Sequence, residues 1–166
     1  MSDAEQEVSE EQLGKLAEMA MEQARRGGQK IPLLGPITWL MMQQSATRHG
    51  LISDLEWRVM PPLVLDQAKL YIRQALPLAF VSWARLNEEA VQRYRQPPHR
   101  LAPSDWQSGD QVWIVDLLAP YGGVQDILDD LRKNIFAGQF IFQLAPMSPG
   151  AAKVIRWEPL EVATDQ

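Results

Sequence analysis

The spacing of apolar residues changes near residue 65, and this change limits the folds open to the chain. Before it, apolar residues recur at helical intervals of three and four, as in Leu13, Leu16 and Met19. After it come apolar and aromatic runs of strand length, 68–73 and 77–86, separated by a short turn. Helices followed by strands predict an α/β sandwich with a mostly antiparallel sheet flanked by helices.

The rest of the pattern predicts the order of the elements. Helices are expected over 9–26, 36–44, 51–60, 88–95 and 124–136. Further strands are expected over 112–120, 141–146 and 152–159.

Capping and breaking residues set the expected boundaries. Ser9 and Gln12 have the spacing of a capping box, and Gly27-Gly28 is expected to end the first helix. Pro61-Pro62 is expected to end or kink the helix over 51–60. We therefore expect a loosely attached helical extension over 1–30 and one compact domain over 31–166.

Composition excludes several kinds of site. The chain has 166 residues and no cysteine, which rules out disulfides and thiolate metal sites. It has two histidines, His49 and His99, so a histidine-rich metal site is impossible, and we expect no metal. The net charge of −5 argues against a nucleic acid partner, because phosphate binding needs clustered Lys and Arg.

The sequence also predicts a protein of the cytoplasm. No apolar run approaches the ~20 residues that a membrane-spanning helix needs. The first residues, MSDAEQEVSEEQ, are acidic and lack the basic and apolar segments of a secretory signal.

Asp116 is the residue that most suggests chemistry. It lies within the apolar run VWIVDLLAP, and an unpaired charge in such a run is costly to bury. The carboxylate must face a cleft or have a partner, as catalytic acids do. An aspartate near a strand end that only caps the next turn is the structural alternative.

His49 is the second candidate, since imidazole can move a proton near neutral pH. It follows the helix over 36–44, and a loop histidine beside Arg48 can equally be an ordinary surface residue. The chain has no G-x-S-x-G, P-loop or G-x-G-x-x-G motif, so simple hydrolase, nucleotide triphosphatase and Rossmann functions have no support.

Three blocks of the sequence resemble the toxin-activating lysine acyltransferases that fatty-acylate RTX protoxins. The first is LG…WL in 34–40, and the second is PLAFVSWARL in 77–86. The third and longest is DWQSGDQVWIVDLLAPYG in 105–122. Together these blocks place most of the compact domain in that family.

The resemblance implies a fold related to the GNAT N-acyltransferases. It also implies a reaction in which acyl carrier protein donates a fatty acyl group to the ε-amine of an internal lysine. The partners would be acyl carrier protein and an RTX-type protoxin, no cofactor would be bound, and the chain would form a homodimer.

The family's catalytic pair is a histidine after the first helix and an aspartate in the W-x-x-D strand. The aspartate corresponds to Asp116. Counting from Trp39 places the histidine position at Thr47, and His49 lies two residues later. We expect His49 to act as the base and Asp116 to orient it. An acyl-histidine route stays open.

The substrate-binding residues that we expect are Ser45, Thr47, Trp83 and Trp113. An apolar groove for the acyl chain is expected from Leu40, Met41 and Met42 with the two tryptophans, although ordinary core packing is an equal alternative. A basic patch of Arg93, Arg95 and Arg100 would receive the acidic carrier protein.

Two other functions remain open. A relative that lost the base at the position of Thr47 would bind the RTX protein or carrier protein without catalysis. A small-molecule N-acyltransferase that uses CoA would need a basic, Gly-rich loop for pyrophosphate. The turn after Asp116, APYGGVQD, has glycines but no Lys or Arg, which favours the carrier-protein donor.

Overall fold

The structure is a computed structural model that describes residues 9–145 and 152–161. Its helices are α1 Glu10–Gln43, α2 Asp54–Arg58, α3 Met60–Val64, α4 Glu88–Tyr94 and α5 Val124–Asp130. Single turns of 3-10 and π type cover Pro103–Asp105 and Leu131–Ile135. Its strands are β1 Ala68–Arg73, β2 Leu76–Leu86, β3 Gln111–Leu118, β4 Ile141–Ala145 and β5 Lys153–Trp157.

The described strands form one five-stranded sheet in the order β1-β2-β3-β4-β5. β1, β2 and β3 are successively antiparallel, β3 and β4 are parallel, and β4 and β5 are antiparallel. A parallel pair cannot be joined by a tight turn, and here α5 lies in the connection. The expected mixed, mostly antiparallel sheet flanked by helices, compatible with a GNAT-like fold, is confirmed.

Both faces of the sheet are covered, because the side chains of β2 alternate between them. Ala79, Val81 and Trp83 pack with α5 and the π turn. Phe80 and Ala84 point the opposite way, towards α1 with α3 and towards α4 respectively. The face covered by α1, α3 and α4 is called the inner face below, because it carries the candidate site.

Helix α1 is longer than the sequence predicts. The capping box of Ser9 and Gln12 is confirmed, but the predicted end at Gly27-Gly28 is wrong, and the helix continues to Gln43. Neither glycine adopts the positive φ that would end it. The C-terminal half of α1 buries Ile37, Leu40 and Met41 in the core, and this packing outweighs the weak helix propensity of glycine and proline.

The N-terminal half of α1 exposes its apolar side chains. Leu13, Leu16 and Met19 are 54%, 58% and 68% exposed. Lys30 reaches Asp66 with its ammonium group at 2.8 Å. The packing that holds α1 to the domain is therefore concentrated in its C-terminal half.

The helix predicted over 51–60 is two short helices, and Pro61-Pro62 does not end it. Both prolines lie in the first turn of α3. A helix's first turn has no internal acceptor for its N–H groups, so proline fits there without loss. Helix α2 thus ends at Arg58, and this position matters for the site.

Candidate functional site

A β-bulge turns Asp116 towards the inner face. The register of β3 on β2 shifts between Asp116 and Ile114. Ile114 packs on the α5 face and Val115 on the opposite one. A regular strand would return Asp116 to the face of Ile114, but Leu117 packs there instead. The bulge therefore leaves Asp116 on the inner face.

The carboxylate of Asp116 is held by Arg58. Arg58 Nε donates to Oδ1 at 2.9 Å and to Oδ2 at 2.7 Å, and Nη2 donates to Oδ1 at 2.5 Å. The hydrogen bond to Asp116 is the main cause that raises the pKa of Arg58. A forked guanidinium matches both oxygens of a carboxylate, so this pair is rigid as well as charged.

Two further polar groups surround this pair. The backbone N–H of Asp116 donates to Ser82 Oγ at 3.2 Å, and Ser82 is fully buried on β2. Tyr94 is buried beside them, and its ring meets Trp113 edge to face with 6.1 Å between centroids. Burial, and then the negative charge of Asp116, raise the pKa of Tyr94. The Tyr94 phenol therefore stays protonated at neutral pH.

Gln44 joins the end of α1 to β3. Its Oε1 accepts from the N–H of Ala119 at 3.0 Å, and its Nε2 donates to the carbonyl of Leu117 at 3.4 Å. These bonds place the turn over 45–49 beside the strand end that follows Asp116. The turn carries Ser45, Thr47 and His49.

Thr47, which the count from Trp39 places at the family's histidine position, is buried. It is 4% exposed, and its Oγ1 donates to the carbonyl of Met41 at 2.8 Å. Its hydroxyl therefore satisfies a carbonyl in the last turn of α1. Ser45 and His49 are exposed on the same turn.

The hydrogen-bonded pair that we expected between His49 and Asp116 is not formed. Within the described residues, the side chain bonded to the Asp116 carboxylate is Arg58. His49 lies on the neighbouring turn with its side chain exposed. The catalytic role of each residue stays a prediction.

The tryptophans expected to bind substrate belong to the core. Trp83 is 7% exposed and meets Phe136 edge to face, with 5.2 Å between ring centroids. Trp113 is 2% exposed and stacks on Phe142 at 5.2 Å. Their contacts are packing contacts, which leave little surface for a substrate.

The acyl groove expected from the first helix is mostly core as well. Leu40 is fully buried and Met41 is 8% exposed, while Met42 is 61% exposed. Trp39, one turn before Met42, is 45% exposed and donates Nε1 to the hydroxyl of Tyr121 at 3.3 Å. Met42, Trp39 and Tyr121 are therefore among the exposed apolar side chains near the end of α1.

The segment DWQSGD is a structural turn behind the site. Asp105 accepts from the N–H of Ala102 at 2.8 Å and from Arg93 Nη2 at 2.7 Å. A Cβ on Gly109 would lie 2.5 Å from the backbone nitrogen of Asn87, so only glycine fits. The segment thus fastens the end of β2 to helix α4.

Two arginines of the expected docking patch are paired with acids. Arg93 binds Asp105, and Arg100 lies 3.6 Å from Asp54 with its guanidinium over the ring of Trp57. These pairings reduce the free positive charge that the patch offers to an acidic partner.

Neither a metal cluster nor a membrane-spanning helix is found in the part of the chain that the structure describes. No group of three or more His, Asp or Glu side chains there is arranged to hold a metal ion. No described helix is both long and apolar enough to cross a bilayer.

Arg58 is the site residue that sequence reasoning missed. It is separated from Asp116 by 58 positions, and it is the last residue of a five-residue helix, where an arginine normally faces solvent. The residue pattern contains no signal that Arg58 and Asp116 are in contact. The need of Asp116 for a partner was visible, but the partner's identity was not.

This mixed α/β domain, with a W-x-x-D strand at the centre of its sheet, matches an acyltransferase family. The model described as the RTX toxin acyltransferase family (HlyC) matches residues 27–158. The match includes all five described strands and the candidate site. The chain therefore belongs to the RTX toxin acyltransferase family.

Named relatives agree with this assignment. Leukotoxin-activating lysine-acyltransferase LktC serotype A1 of Mannheimia haemolytica is 41% identical over 93 residues, 56% of each chain. Protein-lysine myristoyltransferase RtxC of Kingella kingae is 34% identical over 111 residues, 67% of this chain and 66% of that protein. LktC of a Pasteurella haemolytica-like species (strain 5943B) is 37% identical over 122 residues, 74% of each chain. The chain thus spans less than two thirds of the first two relatives.

Proposed function

We propose that this chain transfers a fatty acyl group from acyl carrier protein to the ε-amine of an internal lysine in an RTX-type protein. The observation that carries the proposal is the family match over residues 27–158, which includes the strand of Asp116. Relatives named as lysine acyltransferases support the reaction type.

The reaction needs a base and a polarised carbonyl. A lysine amine has a pKa of about 10.4, so it must lose a proton before or during attack at neutral pH. The new bond joins the lysine nitrogen to the acyl carbon, and the bond from that carbon to the carrier's sulfur breaks. The proton passes from the amine to a base and then to the departing thiolate.

His49 is the residue that we propose as the base. Its turn lies beside the end of β3, where Gln44 bonds to Leu117 and Ala119. Its ring is exposed, so an incoming lysine can reach it without displacing core residues. Imidazole is the side chain best suited to accept a proton near neutral pH.

The carrier protein is the proposed donor because the turn after β3 suits pyrophosphate poorly. Helix α5 has only seven residues, and Asp126 lies in its first turn. Pyrophosphate would meet this carboxylate instead of a Lys or Arg. Acyl carrier protein loaded with a fatty acyl group and acyl-CoA are offered separately to the purified chain and a lysine acceptor. The donor that supports acylation of the lysine is thereby identified.

Co-expression with a leukotoxin tests the proposed function. The leukotoxin of Mannheimia haemolytica is produced with this chain, without it, or with the Mannheimia relative as the positive control. Intact-mass analysis is expected to show an added fatty acyl mass with this chain, placed on lysine by fragmentation. An unmodified leukotoxin beside a modified positive control contradicts the proposal.

A second candidate function is a binding partner without catalysis. It is favoured by one observation: Thr47 is buried, and its hydroxyl is bonded to Met41. The count from Trp39 predicts the family's histidine at this position. Such a protein would form a complex with the RTX protein or the carrier protein and leave its mass unchanged. Complex formation without acylation in the experiment above distinguishes this function from the first.

A further inference from the structure

In the pair of Arg58 and Asp116, the arginine is the side chain that is more open to solvent. The Asp116 side chain is 6% exposed, whereas the Arg58 side chain is 25% exposed. A ligand that enters from solvent therefore has more access to the arginine than to the carboxylate. This difference suits a carbonyl oxygen, which accepts hydrogen bonds, and it disfavours a cation.

Part of the guanidinium remains available. The hydrogen bonds of Arg58 within the described residues use Nε and Nη2, both directed at Asp116. In a planar guanidinium the two N–H groups of Nη1 point away from a carboxylate that is bound in this way. Asp116 thus fixes the direction of the remaining donors, since a bidentate pair has one geometry.

We infer that Arg58 binds the oxyanion of the acyl-transfer reaction and that Asp116 positions Arg58. The inference rests on the proposed function. It gives Asp116 a different partner from the one that the sequence suggested, because the carboxylate positions Arg58 instead of His49. As the amine attacks the thioester carbon, the carbonyl oxygen gains negative charge and accepts from Arg58. When the tetrahedral species collapses, the electron pair of the oxyanion re-forms the carbonyl double bond, and the carrier's thiolate leaves with the carbon–sulfur electron pair. The proton that the amine gives to the base then passes to this thiolate.

The surroundings of the pair fit this role. Gln44 joins the end of the strand that carries Asp116 to the turn that carries His49, so the proposed oxyanion donor and the proposed base belong to elements that meet at this strand end. A donor fixed before the reaction stabilises developing charge without reorganising, which is the main contribution of oxyanion holes.

Hydroxylamine separates carbonyl activation from proton removal. This nucleophile is largely unprotonated at neutral pH, so its acyl transfer depends less on a base than transfer to lysine does. The chain is incubated with acyl carrier protein loaded with a fatty acyl group, and hydroxamate formation above the uncatalysed rate is measured. Arg58→Gln and Arg58→Lys are compared with Arg132→Gln, a control on a residue that binds the carbonyl of Glu158 far along the chain.

The inference predicts a loss in kcat of about 100-fold for Arg58→Gln with both nucleophiles and little change in KM. Arg58→Lys, which keeps the charge but lacks the fork, is expected to lie between Arg58→Gln and the wild type. His49→Ala is expected to lose more activity with lysine than with hydroxylamine. Melting temperatures are measured for each variant, and rates are taken below the lowest of them.

Two outcomes overturn the inference, and they are distinguishable. If folded Arg58→Gln or Arg58→Lys forms hydroxamate at the wild-type kcat, Arg58 does not bind the oxyanion although the proposed function stands. If the wild-type chain transfers its acyl group to neither nucleophile, the proposed function fails and the inference fails with it.

Discussion

Arg58 and Asp116 form a bidentate ion pair, with Nε at 2.9 and 2.7 Å from the two carboxylate oxygens. The pair joins the last residue of α2 to the bulged centre of β3. It satisfies a carboxylate that is 6% exposed and that an apolar strand would otherwise leave unpaired. The same contact therefore supports the fold, and it is the contact on which the proposed oxyanion site rests.

Substitutions of Arg58 and Asp116 should have non-additive effects on the free energy of unfolding. We expect Asp116→Leu alone to lower the free energy of unfolding by about 3 kcal/mol, because Arg58 is then left partly buried and unpaired. Arg58→Met alone should cost a similar amount. The double variant should lose clearly less than the sum of the two, as measured by urea denaturation. Additive losses would show that the two side chains do not depend on each other.

The turn after α1 should separate the roles of Thr47 and His49. Thr47→Val keeps the side-chain volume but removes the hydrogen bond to Met41. We expect it to lower the free energy of unfolding by about 1 kcal/mol and to keep acyl transfer.

His49→Gln should keep the stability of the protein but lose acyl transfer. The exposed imidazole makes little contribution to packing, so stability should stay within about 0.5 kcal/mol of the wild type. Acyl transfer to lysine should fall at least about 100-fold, the usual contribution of a general base. Loss of transfer in Thr47→Val but not in His49→Gln would place the active group at Thr47.

Gly109 should not tolerate a side chain. A Cβ there would lie 2.5 to 2.6 Å from backbone atoms of Leu86 and Asn87, which cannot move as a flexible side chain does. We expect Gly109→Ala to lower the free energy of unfolding by about 2 kcal/mol in thermal or urea denaturation. Gly14→Ala is the matched control, since nothing lies within 4 Å of its Cβ position. Equal stability of the two variants would mean that the turn is packed loosely.

The continuity of α1 can be tested at its glycines. Gly27 and Gly28 have open space where a Cβ would be, and their φ angles are negative. We expect each change to alanine to stabilise the local helix by about 1 kcal/mol. Slower hydrogen exchange of the amides over 10–30 would show this. Faster exchange would indicate that the glycines end the helix, as the sequence suggested.

Asp130 should make stability sensitive to acid. Hydrogen bonds from Lys69, then from Tyr71 and Asn134, lower its pKa from 3.8 to about 2. A lowered carboxyl pKa stabilises the folded state above the unfolded value, and this stabilisation is lost as the pH falls from about 4 towards 2. The side chain is 22% exposed, so salt should weaken the effect.

The measurement compares wild type with Asp130→Asn by urea denaturation at pH 7 and pH 3. The difference in unfolding free energy should be smaller at pH 3. Asp129→Asn is the matched control, because that carboxylate is bonded to the neutral Gln125 and not to a cation. A difference for Asp130→Asn that does not change with pH would contradict the assignment of its pKa.

The sheet was predictable from the sequence because its strands are apolar runs of strand length. β1 covers the predicted residues 68–73, and β2 begins at Leu76, one residue before the predicted start. Apolar runs of this length, bounded by turn residues, have few alternatives. The long helix was not predictable, because glycine and proline are local signals, whereas the burial of Ile37 and Leu40 that overrides them is tertiary.

The site was predictable only in part. The demand of Asp116 for a partner follows from its apolar surroundings, but a one-residue bulge decides which face it occupies. Periodicity carries no signal for such a bulge, and so the sequence suggested His49 as the partner and gave no indication of Arg58. The prediction that Trp83 and Trp113 bind substrate had a similar limit. A tryptophan in a strand pattern does not show by itself whether its indole is buried or exposed, and both of these are buried.

The most direct test of the account is acyl transfer with purified components. The chain, acyl carrier protein loaded with a fatty acyl group and a leukotoxin fragment are mixed, and the intact mass of the fragment is followed, with the Mannheimia relative in a parallel reaction. The account predicts that the fragment gains one acyl mass on a lysine, and that His49→Gln loses this gain. A fragment whose mass stays unchanged, while the parallel reaction modifies it, would contradict the account.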